Sequence, residues 1–364
     1  MTRITVAVQP RPYDVLIESG LVDHAGVVLR DLFPNGKRCF VVTVASVRRR
    51  WGKRFLAVLS SSEWDTKVLE MPDGERYKRI ATVEALAEKL VTLGADRNAA
   101  IVAFGGGVVG DVSGFLASVY MRGVDVVQVP TTVLAQVDAS VGGKTGVNLK
   151  SGKNLVGTFH QPRAVLTDPR VLSTLPEREF RSGLYEALKC GVIGNPELFQ
   201  RFEQNRDKIL ARDPAQLEWL ITESVKLKAH VVSADERESG VRRVLNFGHT
   251  IGHALEADTN YRHFLHGEAV AWGMIAASNI AAQVGKLSPD AFDRIVDAVH
   301  SLGELPEVHS SPQRIMRMLG SDKKTSNGVV HFVLPSDIGK VEVVRDVPQS
   351  AIVSSIQKLR ALSR

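Results

Sequence analysis

The sequence of 364 residues has few cysteines and few aromatic residues. Its two cysteines, Cys39 and Cys190, exclude a framework of several disulfides and a zinc site built from four thiolates. Aromatic residues make up 6% of the chain, and basic residues interleave with them along one element only at 48–54. A nucleic-acid-binding surface needs more of that pattern, so we expect no nucleic acid partner.

Long apolar runs are also missing. The most apolar stretch, 269–284, contains Trp272, Ser278, Asn279 and Gln283, and it falls short of the roughly 20 apolar residues that span a bilayer. The first ten residues lack the apolar core of a signal peptide. We therefore expect no membrane partner and a cytoplasmic location.

The net charge of the chain excludes fewer functions than these absences do. Lysine and arginine number 46 against 40 acidic residues, which gives a net charge of +6. Hydrophobic residues make up 44%, and that share with so small a net charge excludes a disordered chain. A basic protein of this kind binds nucleic acid, an anionic membrane or an acidic small molecule. The net charge does not choose among these partners.

The pattern of hydrophobic residues divides the chain near residue 175. Before that point short β-branched strands alternate with amphipathic helices, which predicts an α/β domain with a largely parallel sheet covered on both faces. After it, six helical segments are followed only by two short strands. We predict an α/β domain at 1–175 and a mainly α-helical domain at 176–364.

A glycine cluster in the first domain indicates phosphate binding. Residues 105–111, GGGVVGD, follow an apolar strand and open a helix, so backbone N–H groups are free to approach a pyrophosphate. The cluster fits G-x-G-x-x-G, but it lies outside the first βα unit, and Asp125 at the usual acidic offset begins a strand. We predict an atypical dinucleotide-binding sheet; a tight turn that needs glycine for packing is the structural alternative.

A second polar loop follows the next strand. Thr131 and Thr132 end that strand, where hydroxyls would face a ligand. The loop over 138–154 contains GGKT, but the P-loop spacing fails, which disfavours an ATPase. Glycine-rich polar loops in compact domains are more often functional than structural. The charged and amide side chains of this loop include Asp138, Lys144, Lys153 and Asn154.

The segment RRVLNFGHTIGH carries the strongest pattern in the second domain. On one continuous helix, Arg242, Asn246, His249 and His253 would share a stripe about 60° wide. The positions between them are mostly apolar, and a buried unpaired polar side chain costs about 1–3 kcal/mol. The stripe therefore predicts contact with water or a ligand.

The histidines of this segment suggest a metal. His249 and His253 have the H-x-x-x-H spacing, but Thr250 stands where a zinc protease needs glutamate, which disfavours that class. His266 begins a further helix, and Glu186 lies on another. Two imidazoles and one carboxylate predict a catalytic divalent-metal site with an open position.

Seven motifs together resemble one family. In order they are GGGxxGD, QVPTT, VDxSxGGKT, GKNLxGxFxQP, SGxxExxK, LNFGHTxGHAxE and LxHGEAVxxGM. They resemble the 3-dehydroquinate synthase family of the shikimate pathway over nearly the whole chain. The resemblance implies an atypical NAD-binding α/β domain, a helical metal- and substrate-binding domain, and a homodimer.

The resemblance also implies roles for individual residues. The implied ligands of Zn²⁺ or Co²⁺ are Glu186, His249 and His266. The implied NAD contacts are Asp73, Gly74, Glu75, Arg76, Tyr77, Lys78, Gly107, Val108, Val109, Gly110, Asp111, Thr131, Thr132, Lys144, Lys153, Val171, Leu172, Ser173 and Thr174. The implied substrate contacts are Asp138, Lys144, Asn154, Lys189, Lys228, Arg242, Asn246 and His253, with Arg122 reaching the substrate phosphate from the partner subunit. At Val44–Ala45 the sequence departs from the family, whose members often have a polar residue at this edge of the nucleotide; the resemblance therefore implies no contact to adenosine there.

The implied reaction converts 3-deoxy-D-arabino-heptulosonate 7-phosphate into 3-dehydroquinate and phosphate, the second step towards chorismate. The implied reaction has four steps: transient oxidation by NAD, elimination of phosphate, re-reduction and an intramolecular aldol closure. The cationic side chains named above, with the segment Asp322–Lys323–Lys324, are expected to line one cleft that suits a carboxylate and a phosphate.

Two other enzyme classes stay open. A sister cyclase that makes a deoxy-inosose or a valiolone would change polar residues around the substrate, whereas Lys228, Arg242 and Asn246 fit a substrate with a carboxylate. A metal-dependent NAD alcohol dehydrogenase would not need so many lysines for a phosphate leaving group.

Overall fold

The structure is a computed structural model and describes residues 1–34, 38–321 and 330–363. The predicted Asp322–Lys323–Lys324 segment lies outside the described residues. The strands are β1 (Thr2–Val6), β2 (Tyr13–Ile17), β3 (Cys39–Val44), β4 (Thr66–Met71), β5 (Ala100–Gly105), β6 (Asp125–Pro130), β7 (Lys144–Leu149), β8 (Gly152–Phe159), β9 (Ala164–Thr167), β10 (Phe332–Asp337) and β11 (Lys340–Val344).

The α-helices are α1 (Ala25–Leu32), α2 (Ala45–Val47), α3 (Lys53–Ser61), α4 (Ile80–Thr92), α5 (Gly107–Val119), α6 (Glu177–Gly194), α7 (Pro196–Leu210), α8 (Pro214–Ala234), α9 (His249–Asp258), α10 (His266–Gln283), α11 (Pro289–Ser301), α12 (Pro312–Ser321) and α13 (Gln349–Leu362). Short 3₁₀ helices cover Leu21–His24, Glu75–Tyr77, Tyr120–Arg122, Pro169–Thr174 and Val241–Asn246. Single π-helical turns cover Arg48–Gly52 and Ala135–Ala139.

The chain forms two compact units. The first consists of Met1–Pro176 and Leu217–Arg237, and the second of Glu177–Gln216 and Glu238–Arg364. The first segment of the first unit ends at Pro176, and the hydrophobic pattern changes near residue 175. The predicted domain 176–364 is not continuous, however, because most of α8 packs with the first unit.

Hydrogen bonds explain why that part of α8 joins the first unit. The backbone N–H of Ala7 donates to Ser233 Oγ at 2.9 Å, and the N–H of Ser19 donates to a Glu218 carboxylate oxygen at 3.1 Å. These partners are more than 190 residues apart in sequence, so a pattern that is read locally along the chain does not predict the contact.

The first unit is built on a seven-stranded sheet in the order β1-β2-β9-β6-β5-β3-β4. β1 pairs antiparallel with β2, and every other neighbouring pair is parallel. The central strands β3 and β5 are buried along their whole length because helices cover the sheet. Val83, Leu86 and Leu90 of α4 pack into the same core as Val112 and Leu116 of α5.

The parallel register brings the two predicted phosphate and hydroxyl segments to one edge. Gly105 at the end of β5 pairs with Pro130 at the end of β6, and the N–H of Thr131 donates to the Gly105 carbonyl at 2.9 Å. The glycine cluster and Thr131–Thr132 are therefore neighbours at the carboxyl ends of adjacent strands. This is the edge where open α/β sheets bind ligands.

The second unit is arranged around α10. Every residue of this helix from Gly267 to Ala281 is buried, because α6, α9, α11, α13 and β10 pack against it. A helix that is buried all round needs no polar face, which explains its apolar sequence. Within the described residues, no helix is long and apolar enough to cross a membrane.

Candidate active site

Glycines let three helices of the second unit approach one another closely. A Cβ on Gly267 of α10 would overlap the backbone oxygen of Ser182 in α6, and a Cβ on Gly273 would overlap the backbone oxygen of Gly248, just before α9. Gly252 of α9 similarly lies against Ala269, where a Cβ would come within 2.8 Å of the backbone oxygen. The three helices that carry Glu186, His249 and His266 are thus held backbone to backbone.

One sequence prediction is wrong at this point: residues 242–253 do not lie on one continuous helix. A 3₁₀ helix ends at Asn246, Gly248 adopts φ +78°, and α9 begins at His249. Left-handed backbone favours glycine, and a Cβ there would lie 2.8 Å from the Val270 oxygen. Arg242 and Asn246 therefore do not share one helical stripe with His249 and His253.

Glu186 and two histidines nevertheless converge. Nε2 of His249 and Nε2 of His266 each lie 3.6 Å from Glu186 Oε1. Glu186 is 1% exposed, and neither of its carboxylate oxygens makes a hydrogen bond of normal geometry to a residue that the structure describes. The ammonium of Lys189 lies 2.5 Å from Oε2. Oε2 is therefore ion-paired, and Oε1 faces the two imidazoles. A buried carboxylate oxygen that is left unsatisfied is costly, and a divalent cation held by Oε1 and the two imidazoles would satisfy it, so these residues fit a metal.

His253 offers a different set of three ligands. Ring nitrogens of His249, His253 and His266 lie within 4.8 Å of one another, so three imidazoles are also close enough to hold one ion. We favour the set with Glu186, because that carboxylate is buried and a site of three neutral imidazoles would leave its Oε1 without a hydrogen bond within the described residues. His253 then lies beside the proposed metal.

The outer ring nitrogens are oriented by two acceptors. Nδ1 of His249 lies 3.1 Å from the Phe247 carbonyl oxygen, and Nδ1 of His266 lies 3.3 Å from Glu256 Oε2. With the proton on Nδ1, each Nε2 presents a lone pair towards Glu186. Burial lowers the pKa of the His249 imidazole well below its ordinary value, and the ammonium of Lys189 and the rings of His253 and His266 lower it further. The neutral form, which ligates metals, is therefore favoured.

Glu256 was not predicted as a site residue, although the LNFGHTxGHAxE motif ends on it. It is buried and lies seven residues after His249 on α9, on the same helical stripe as His249 and His253. That stripe was the signal that would have identified it.

We expect Glu256→Gln to weaken metal binding about 10- to 100-fold, because a carboxylate that accepts from a ligating imidazole raises its basicity. Zn²⁺ affinity measured by competition with a chromogenic chelator tests this. Glu342→Gln, on β11, is the control for the loss of one negative charge. Equal affinities for wild type and Glu256→Gln would contradict the role of Glu256.

A cavity of about 260 Å³ in the second unit adjoins these histidines. Its lining comprises Glu238, Arg243, Asn246, His249, Thr250, His253, Val330, His331, Val333 and Val343. Asn246 donates through Nδ2 to Glu238 Oε1 at 2.5 Å, so a predicted substrate contact is held by a residue that sequence reasoning missed. Glu238 has a φ of +60° and lies in a charged turn. The sequence of this turn is that of an ordinary solvated loop, so it gives no signal for a site residue.

Arg242, Asn246 and Lys189 are the other predicted contacts in this unit. Arg242 and Lys189 are each 1% exposed, and Lys189 is ion-paired with Glu186. Buried cationic side chains are typical of a site for an anionic ligand and not of a solvated surface. Asn246 lines the cavity itself.

In the first unit, Lys78 connects two predicted sets. Its buried ammonium lies 2.5 Å from Asp111 Oδ2, in the first turns of α5, and 2.5 Å from Asn154 Oδ1. Burial raises the pKa of the Asp111 carboxyl, although the ammonium of Lys78 opposes that shift. Nucleotide and substrate contacts predicted from separate motifs are therefore adjacent.

The glycine cluster combines both alternatives that the sequence left open. A Cβ on Gly106 would lie 2.9 Å from Thr132 Cγ2, so packing favours glycine there, whereas one on Gly110 would meet only the flexible end of Gln128, 2.8 Å from Oε1. α5 nevertheless starts at Gly107 without a side-chain cap, which leaves first-turn N–H groups available to an anion. Gly107, Val108 and Val109 supply that turn.

Asp138 and Lys228 are brought together within the first unit. The Lys228 ammonium donates to Asp138 Oδ1 and to the Asp138 carbonyl oxygen, both at 2.6 Å. Lys144 is exposed at the start of β7, and Lys153 lies 4.0 Å from a Glu75 carboxylate oxygen. Asp138 and Lys144 belong to one motif and Lys153 to another, whereas Lys228 lies outside the seven motifs. Helix α8 supplies Lys228 because this part of the helix belongs to the first unit.

The remaining predicted contacts are spread over the first unit. Asp73 accepts from Ser46 Oγ at 2.5 Å, so a polar residue does lie next to the Val44–Ala45 departure. Val171 and Leu172 are buried, and Thr174 accepts from the Trp51 indole at 2.8 Å. Arg122 is exposed in the turn after α5, with φ +68°.

Comparison with solved structures first defines a class. Over 98% of this chain and 99% of the other, it superposes on 2-epi-5-epi-valiolone synthase from Streptomyces hygroscopicus with NAD⁺ and Zn²⁺ bound, with a TM-score of 0.90 and 30% identity. Over the same shares it superposes on 2-deoxy-scyllo-inosose synthase complexed with carbaglucose-6-phosphate, NAD⁺ and Co²⁺, with a TM-score of 0.86 and 28% identity. The fold is that of the sugar phosphate cyclases, which confirms the predicted fold class.

Sequence comparison then identifies the family. The family models described as 3-dehydroquinate synthase N-terminal and C-terminal match residues 68–182 and 183–325. A 3-dehydroquinate synthase from Koribacter versatilis is 56% identical over 100% of this chain and 99% of its own. The chain belongs to the 3-dehydroquinate synthase family.

Proposed function

We propose that the chain is a 3-dehydroquinate synthase: a carbon–oxygen lyase that converts 3-deoxy-D-arabino-heptulosonate 7-phosphate into 3-dehydroquinate and phosphate. The observation that carries the proposal is the buried Glu186 carboxylate facing the Nε2 atoms of His249 and His266 in a chain of this family. Solved relatives that are described with NAD⁺ and Zn²⁺ or Co²⁺ support the same cofactors here.

The second unit is proposed to hold the metal. When bound by Glu186, His249 and His266, Zn²⁺ or Co²⁺ would act as a Lewis acid that makes a substrate hydroxyl easier to deprotonate. Lys189 holds the Glu186 carboxylate from the other side, at 2.5 Å, and so fixes its orientation. Arg242 and Asn246 supply a charge and an amide that orient the substrate, and His253 offers an imidazole to hold or pass on a proton.

The first unit is proposed to hold NAD. When bound, NAD⁺ would accept a hydride from the substrate and return it later in the same turnover. The first turn of α5, Lys78 and Asp111, Thr131 and Thr132 bind and orient the dinucleotide. The Lys228 ammonium, shared with Asp138, and the amide of Asn154 would bind polar groups of the substrate. Lys144 and Lys153 add positive charge for its anionic groups.

The proposed assembly and setting follow from the same family. We propose a homodimer in which Arg122, exposed on the first unit, reaches the substrate phosphate of the partner subunit. A cytoplasmic location and a place in chorismate and aromatic amino acid biosynthesis suit this substrate. Mass measurement in solution tests the dimer. The activity of heterodimers that combine one Arg122→Ala subunit with one wild-type subunit tests the shared site.

The sister cyclases are the second candidate function, because their structures superpose so well. Their identities of 30% and 28% are far below the 56% of the 3-dehydroquinate synthase relative, which favours the heptulosonate phosphate as substrate. Glucose 6-phosphate is the substrate to compare.

Phosphate release tests the proposed function directly. With NAD at a concentration far below that of substrate, we expect many turnovers on the heptulosonate phosphate, negligible release from glucose 6-phosphate, and loss of release after EDTA treatment with recovery on adding Zn²⁺ or Co²⁺. NAD regenerated within each turnover explains the first result. Release that needs stoichiometric NAD, or that survives EDTA, would overturn the proposal.

A further inference from the structure

Asn148 is not among the predicted NAD or substrate contacts, yet it makes hydrogen bonds to three residues that are. Its backbone N–H donates to the Lys78 carbonyl at 2.7 Å, and its side-chain Nδ2 donates to Glu75 Oε1 at 2.7 Å. Its Oδ1 accepts from the backbone N–H of Asn154 at 2.9 Å. One residue thus joins the nucleotide segment 75–78 to the start of β8, which carries Asn154.

An irregularity in the hairpin lies at this side chain. Val147 pairs with Val156 and Leu149 pairs with Gly152, so the single residue Asn148 of β7 lies opposite residues 153–155 of β8. Extra residues on one strand interrupt its regular alternation. The irregular part of β8 therefore includes Asn154, whose N–H donates to Asn148.

An amide suits both side-chain contacts. Glu75 offers a carboxylate, which needs a donor, and the Asn154 N–H needs an acceptor; asparagine supplies both from one planar group. The opposite amide orientation would place two acceptors together at Glu75 and two donors together at Asn154. The network therefore sets the orientation of the amide.

Asn154 is held at both its backbone and its side chain. Its φ of +55° is left-handed, a conformation that asparagine tolerates better than most residues. Asn148 holds its N–H, and the buried Lys78, which is ion-paired with Asp111, holds its Oδ1 at 2.5 Å. Lys78 and Glu75 come from one short segment, so the bonds form a closed ring through Asn148.

We propose that Asn148 is a positioning residue: it fixes Asn154 for substrate and Glu75–Lys78 for the nucleotide without touching either ligand. The inference rests on the proposed function, because it takes the roles of those residues from there. Loss of Asn148 loosens both binding segments at once.

The first test measures both affinities in Asn148→Ala. We expect the Kd for NADH, measured by its fluorescence, and the KM for the heptulosonate phosphate each to rise about 10-fold, the effect of one lost hydrogen bond to a charged group. kcat should fall less than the KM rises. Ser151→Ala, exposed in the same hairpin turn, is the control and should change neither. An unchanged Kd and KM in a folded Asn148→Ala would overturn the proposal.

A double-mutant comparison separates positioning from general loosening. In an Asn154→Ala background, Asn148→Ala should still raise the Kd for NADH but should add nothing to the KM, because the substrate contact that it positions is already gone. A KM effect that adds in full would refute the connection through Asn154. A wild type without turnover would instead contradict the proposed function, so the two failures are distinguishable.

Exchanging the amide of Asn148 and the carboxylate of Glu75 tests whether substrate affinity can be rescued. Asn148→Asp places a carboxylate against Glu75 and should raise the KM more than Asn148→Ala does. Adding Glu75→Gln restores one donor and one acceptor at that contact, so the double variant should recover most of the lost substrate affinity. Failure to recover it would show that the hydrogen bonds of Asn148 do not set the position of Asn154.

Discussion

Glu186→Gln is expected to lose bound metal and to lower kcat about 10³-fold. The amide removes the negative charge that lies 3.6 Å from Nε2 of both His249 and His266, and it leaves the Lys189 ammonium facing a neutral group in a buried site. Lewis-acid stabilisation is worth several kcal/mol, and each 1.36 kcal/mol is tenfold in rate. Metal content by atomic emission and phosphate release together measure the loss.

His253→Ala is the matched variant for this prediction. If Glu186 completes the metal site, His253→Ala keeps its metal while turnover falls, because His253 lies beside the ion and not in its ligand set. If the three imidazoles bind the ion instead, His253→Ala loses metal and Glu186→Gln retains it. That second pattern would contradict the site that we propose and would favour the histidine cluster.

The sequence predicted more of the site chemistry than of its geometry. The glycine cluster after a strand predicted an edge of the sheet correctly, because parallel strands place their carboxyl ends together. The continuous helix predicted over 242–253 breaks at Gly248, because α10 lies so close that only glycine fits the left-handed turn there, which no local hydrophobic period reveals. Three-dimensional packing decided that position.

Contacts between distant parts of the chain account for the other differences. Helix α8 follows two helices of the second unit in sequence, yet its Lys228 bonds to Asp138, ninety residues earlier. Asn148 and Glu256 are conspicuous only when their partners are known, because one is a short polar residue in a hairpin and the other an acid on an amphipathic helix. The motifs predict which groups belong to the site, and the fold determines which residues hold those groups.

Gly267→Ala is expected to destabilise the protein by about 1–3 kcal/mol and to disturb the metal site. In an exposed helix, the same change adds about 0.5–1 kcal/mol of stability because alanine loses less backbone entropy on folding. Here a Cβ would overlap the Ser182 backbone oxygen of α6, and backbone atoms do not move aside as a flexible side chain would. α10 must shift, and His266, the residue before Gly267, shifts with it.

Gly320→Ala is the matched control, since this glycine lies in helix α12 and no described atom comes within 4 Å of its added Cβ. Denaturant unfolding should show that Gly320→Ala is as stable as wild type or more stable, with unchanged Zn²⁺ affinity. Gly267→Ala should lose stability and bind Zn²⁺ more weakly, because His266 no longer lies at its distance from Glu186. If Gly267→Ala keeps both its stability and its metal affinity, close packing of α10 on α6 does not fix the distance between these ligands.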